Sequence, residues 1–102
     1  MGVVESINMN FNLTMNKAQE LDNLAGELER MATSNMENTL QTLSRSWTGD
    51  AANNYISKGR TMENKIKSSA DQLRNIAGTL RHVAQVTYNA EMQAYFIATQ
   101  RW

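Results

Sequence analysis

Apolar side chains recur at intervals of three and four residues through most of this chain, with polar and charged residues between them. From Ala18 the series runs through Leu21, Leu24, Ala25, Leu28, Met31, Ala32, Met36, Leu40 and Leu43. At about 100° per residue these positions spread over roughly half of a helix circumference, which predicts a first helix with more than one neighbour. A second series holds a cleaner alternation: Tyr55, Gly59, Met62, Ile66, Ser69, Leu73, Ile76, Leu80, Val83, Thr87, Ala90 and Ala94. It predicts a second long helix.

Between the two series stands Trp47-Thr48-Gly49-Asp50. A glycine can take the positive φ that ends one helix, and an aspartate is suited to cap the next, so Gly49 closes the first helix and Asp50 caps the second. The expected organisation is one domain: an N-terminal arm over 1–13, helix 1 over 14–46 with Thr14 as its N-cap, a turn over 47–50, helix 2 over 51–87, and a partly helical or flexible tail over 88–102. The arm is read as extended because Ile7, Met9, Phe11 and Leu13 alternate with polar residues at period two. The fold class is therefore all-α, a hairpin of two long antiparallel helices. The core of the hairpin, or of a dimer of it, is expected from Leu21, Leu28, Met36, Leu40, Leu43, Met62, Ile66, Leu73, Ile76, Leu80 and Val83.

Composition sharpens this outline. Proline is absent from all 102 residues, so nothing forbids uninterrupted helices. Cysteine is absent too, which excludes a disulfide framework and thiolate metal sites. No basic segment followed by an apolar run marks a cleavable signal, and no apolar stretch approaches the roughly 20 residues that span a bilayer, so stable membrane insertion is not expected.

Net charge is zero, but it is unevenly distributed. Residues 1–50 carry seven acids against three bases (−4), and residues 51–102 carry three acids against seven bases (+4). Opposite signs on the two halves suit two helices lying side by side. The neutral total and the shortage of aromatics among the bases disfavour nucleic-acid binding.

Catalytic chemistry needs a convergent nucleophile, base or metal-ligand set, and the sequence presents none. His82, the single histidine, reads as an ordinary boundary residue beside Val83. No cofactor is expected and the chain is not read as an enzyme.

A length near one hundred residues, two amphipathic helices and the central Trp47-Thr48-Gly49 resemble the WXG-hundred family of small proteins exported by type VII secretion systems. The resemblance covers about residues 14–87. It implies a hairpin that dimerises into an elongated four-helix bundle, as a homodimer or with a related chain, and that is exported folded by the secretion ATPase without a cleavable signal peptide. An effector role after export is implied as well. The alternative is a targeting chaperone or co-secreted adaptor for the helical N-terminal domain of a larger exported toxin. The family export signal pairs the Trp-x-Gly turn, here Trp47 and Gly49, with a tyrosine followed four residues later by an acid. Here Tyr88 precedes Glu91 by three residues, Met92 stands at the family position, and Tyr95 is followed at that spacing by Thr99.

Overall fold

The computed structural model describes residues 2–100. They form α1 (Val3–Arg30), a six-residue π-helical segment (Met31–Met36), α2 (Glu37–Ser46) and α3 (Asp50–Gln100). No strand occurs among the described residues. The fold is an all-helical hairpin, with Trp47, Thr48 and Gly49 the only non-helical residues between α2 and α3. By its packing the chain divides into two compact units, Asn23–Arg74 and a second unit made of Met1–Asp22 with Asn75–Trp102.

In the turn-bearing unit, residues 23–46 descend to the turn and α3 returns antiparallel to them. Arg74 pairs with Glu29, Arg60 with Glu37, and the Trp47 and Tyr55 rings meet at the turn itself. The other unit pairs the start of α1 with the far part of α3, again antiparallel: Phe11 stacks on Tyr88 and Arg81 reaches Asp22.

The seam between the helices is built chiefly from alanine. Ala25, Ala32 and Ala70 are buried in the turn-bearing unit and Ala18, Ala77 and Ala84 in the other, at seven-residue spacing along their helices, and among the described residues no large side chain is fully buried. An alanine methyl contributes about as much as one buried methylene, about 0.8 kcal/mol, against about 1.5–3 kcal/mol for a leucine. The larger apolar residues flank this strip instead of filling it. Of the expected core, Leu40 is buried, while Leu21, Leu28, Met36, Leu43, Ile66, Leu73 and Leu80 are half-buried. Met62, Ile76 and Val83 are exposed, so the interior of the hairpin does not contain them.

The π-helical segment follows from spacing. Inward residues of the first arm of the hairpin step by seven from Ala18 to Ala25 to Ala32 and from Leu21 to Leu28, then by eight from Ala32 to Leu40 and from Leu28 to Met36. One π turn absorbs the extra residue without rotating the apolar face away from α3. At its end the Glu37 N–H donates to the Ala32 carbonyl, five residues back.

The same interval governs the ion pairs. Arg60, Lys67, Arg74 and Arg81 repeat every seven residues on α3, while Asp22, Glu29 and Glu37 are separated by seven and then eight. Arg81, Arg74 and Arg60 each take one of these acids. The opposite charges of the two halves thus meet across the hairpin.

Two segments differ from the sequence expectation. Residues 3–13 are helical, not an extended arm, because Ile7, Phe11, Thr14 and Ala18 also follow the helical four-three-four interval and turn inward together, leaving Met9 and Leu13 exposed. Thr14 consequently lies inside α1, and its hydroxyl donates to the Asn10 carbonyl instead of capping a terminus. The helix begins instead with the Ser6 N–H donating to the Gly2 carbonyl at 3.1 Å.

The second difference is the tail. α3 continues unbroken past Thr87 to Gln100, held at its end by the Thr99 hydroxyl donating to the Tyr95 carbonyl. Met1, Arg101 and Trp102, which the arm and tail expectations also covered, lie outside the described residues.

Candidate functional site: the tryptophan turn

α2 ends at Ser46, and Trp47 leaves it with an extended backbone (φ −127°, ψ 121°) while its N–H still donates to the Leu43 carbonyl at 2.8 Å. Gly49 has a φ of +111°, a value L side chains rarely adopt, and no other described residue has a positive φ. Its carbonyl accepts the Asn53 N–H at 3.0 Å, which puts Gly49 at the N-cap position of α3. Asp50 is therefore the first helical residue and not the cap assigned to it, because the chain enters the helix one residue earlier. Its carboxylate still occupies the first turn, where the helix dipole favours negative charge.

Trp47 is 42% exposed. The indole meets the Tyr55 ring, the centroids 5.7 Å apart and the planes tilted by 52°; Tyr55 is itself exposed. A tryptophan left this open at a rigid turn has contact area to offer and an N–H to donate. Beside it, Asn35, Met36, Thr39, Leu40, Tyr55, Lys58, Gly59 and Met62 line an open groove of about 420 Å³. Trp47, Tyr55 and Met62 together present an apolar, aromatic surface in the turn-bearing unit.

Two buried features of this unit lie outside the sequence reading. Leu40 packs where a side chain at residue 59 would otherwise stand: a Cβ added at Gly59 would come within 2.6 Å of Leu40 Cδ2. Glu63 is buried at 5% exposure in the alanine series of α3, seven residues before Ala70. The spacing 63, 70, 77, 84 was the available signal, and large residues at neighbouring positions draw attention from it.

Electrostatics in this unit follow from the pairing. A hydrogen bond from the Arg60 guanidinium holds the Glu37 carboxyl below its ordinary value of 4.5, and Arg74 does the same for Glu29. Burial pushes Glu63 the opposite way, reinforced by the neighbouring Glu37. Arg60 spans both oxygens of Glu37, at 2.8 and 2.9 Å.

Tyr88 and Glu91 lie three residues apart on α3, both half-buried. The Tyr88 ring packs on Phe11 with centroids 5.0 Å apart, and Glu91 lines the same small cleft with Ile7 and Val83. Tyr88 is therefore part of the seam of its unit. Tyr95 is half-buried and stacks edge-on with the exposed Phe96. His82 is exposed.

Outside the seam, Tyr55, Met62, Ile76, Val83 and Ile97 of α3 are exposed at multiples of seven residues, with Ser69 and Ala90 at the intervening positions. No helix among the described residues is long and apolar enough to cross a membrane. No curated protein and no solved structure matches the chain. A family model described as "WXG100: Proteins of 100 residues with WXG" matches residues 6–92, most of the sequence and all of the turn. With Trp47-Thr48-Gly49 joining the arms of a helical hairpin inside that match, the chain belongs to the WXG100 family.

Proposed function

We propose that this chain is exported folded, as a dimer, by a type VII secretion system, with Trp47 and Gly49 forming half of the feature that the secretion ATPase reads. Membership of the family implies a small helical type VII secreted protein. The observation that carries the finer reading is the exposure of Trp47 at a turn fixed by Gly49. An indole kept for packing would be covered; this one is held outward.

The dimer reading rests on the exposed series of α3. Met62, Ile76 and Val83 recur at multiples of seven beside a seam made of alanine, and a second helical face of the same period would cover them. A second copy of the chain would supply such a face, as would a related family chain. Sedimentation of the purified protein at micromolar concentration tests this: a stable dimer supports the reading, and a well-behaved monomer contradicts it.

A second reading is favoured by Tyr88. Its ring is engaged with Phe11, and the acid that follows comes three residues later instead of four. A chain whose tail tyrosine is so engaged is suited to pair with a larger exported protein that carries the tail signal, serving as its targeting chaperone or adaptor. Secretion of Trp47→Ala from the native host addresses the export reading directly. Full export of this variant refutes the role given to the indole, and export that requires a co-expressed partner favours the adaptor.

A further inference from the structure

Glu63 shares a seven-residue register of α3 with three buried alanines, and the half-buried Ile56 and Glu91 stand at the positions beyond them. Residues 70, 77 and 84 repeat at seven-residue spacing and are all buried alanines, and Glu63 is buried with them at 5% exposure. Its Oε1 atom finds no hydrogen-bond donor among the described residues. A buried carboxylate without full compensation is costly, whereas the protonated acid carries no charge into the seam and gains an O–H to donate.

The neighbouring charges do not relieve it. On α2 the facing group is Glu37, a second carboxylate. Arg60, three residues before it on α3, spends both contacts at 2.8 and 2.9 Å on Glu37. Lys67, one turn further along α3, acts on Glu63 from a distance and is shared with Glu29 on α1. Two acids therefore face each other across the seam with one arginine committed to the first of them.

We propose that Glu63 makes the turn-bearing unit, Asn23–Arg74, proton-responsive, so that it closes more tightly in mild acid than at neutral pH. Protonation converts the facing pair from two carboxylates into an acid that donates to the Glu37 carboxylate, which Arg60 continues to hold. Burial and the Glu37 charge both favour the proton on Glu63, while Arg60 and Lys67 oppose it more weakly. A carboxyl that binds its proton more readily folded than unfolded adds stability as pH falls towards the ordinary glutamate range. The window lies above 4.5, the ordinary value for Glu63, where Glu29 and Glu37 are still ionised in their pairs.

The test is a pair of melts at about pH 5 and about pH 7.5 for the full chain, Glu63→Gln and Glu63→Ala, with a carboxyl-carbon NMR titration of Glu63. The wild type is expected to melt at a higher temperature at the lower pH, each kcal/mol gained raising it by about 4–8 °C in a domain of this length. Both variants remove the titrating group and are expected to lose that gain, melting near neutral pH above the wild type. Alanine continues the existing series of α3, so Glu63→Ala keeps the comparison usable if the glutamine is poorly accommodated. The NMR midpoint of Glu63 is expected above 4.5. A wild type whose melting temperature falls on acidification, variants that keep its pH response, or a midpoint at or below the ordinary value would each overturn the proposal.

Discussion

Leu40 occupies the space that a side chain at residue 59 would take, with its Cδ2, Cδ1 and Cγ atoms 2.6, 3.1 and 3.4 Å from the site of an added Cβ at Gly59. The glycine costs its helix about 1 kcal/mol relative to alanine, and the close approach of Leu40 is what it gains in exchange. Gly59→Ala recovers the helix propensity but pushes against a buried leucine, and overpacking of this kind costs about 1–3 kcal/mol. We expect a net loss of stability in the wild-type background. In a Leu40→Ala background, itself about 2–5 kcal/mol less stable, the obstacle is gone and the same substitution should stabilise. Urea unfolding of the four proteins measures this reversal, and equal effects of Gly59→Ala in both backgrounds would show that the two residues are uncoupled.

At the turn the constraint is in the backbone. Nothing lies within 4 Å of a Cβ added at Gly49, so space is not limiting there; the φ of +111° is. Gly49→Val is expected to lower stability by about 1 kcal/mol or more, the cost of forcing a β-branched residue into a positive-φ conformation. Thermal melts should show a drop of about 4–8 °C for each kcal/mol lost. An unchanged melting temperature would mean that the turn reorganises freely.

Trp47→Ala separates structure from recognition. The indole is too exposed to make the contribution of a buried tryptophan, and its stacking on Tyr55 is the contact that truncation removes. A loss of about 1 kcal/mol is expected, within the range of an aromatic pair, with unchanged far-UV circular dichroism. A loss of about 3–5 kcal/mol would instead mark Trp47 as core.

Acid below the ordinary glutamate range should destabilise the turn-bearing unit. Arg74 holds the Glu29 carboxyl below 4.5, and Arg60 does so for Glu37. Carboxyls depressed in the folded state contribute stability that is fully present above the unfolded value and is lost as pH falls through the folded one. Stability should therefore decline below about pH 4.5, and Arg74→Ala should make that decline shallower by releasing Glu29. Urea titrations at a series of acid pH values check it; an unaltered slope in Arg74→Ala would exclude the Glu29 pair as a contributor.

Much of this molecule is legible in its sequence because helical periodicity is strong from Ala18 to Ala94 and proline never interrupts it. The first thirteen residues mislead because Ile7, Met9, Phe11 and Leu13 satisfy period two, while Ile7 and Phe11 also satisfy the helical interval continued by Thr14 and Ala18. Only a partner surface decides between the two patterns, and α3 extends far enough to supply one that includes Tyr88. The seam is harder to read for a different reason. Large residues dominate any search for a core, yet close helix approach selects the small ones, Ala70, Ala77 and Ala84, and moves Met62, Ile76 and Val83 outward. Trp47 and Gly49 are identifiable from their rarity and position, whereas Glu63 is conspicuous only once the alanine series is known.

The π-helical segment has a consequence for chain length. It holds one residue more than the rhythm of the facing helix requires, so removing Ser34 would restore a seven-residue step from Ala25 through Ala32 to Leu40 and from Asp22 through Glu29 to Glu37. A chain shortened there should fold with every inward residue and ion pair retained and with a regular α-helix over the deletion, observable as α-type amide contacts by NMR. A residue removed from the middle of α3 has no such slack to draw on and would rotate half of that helix by about 100°. The two arms of the hairpin therefore differ in their tolerance of insertions and deletions, and the first arm carries a site at which its length can change while its pairing does not.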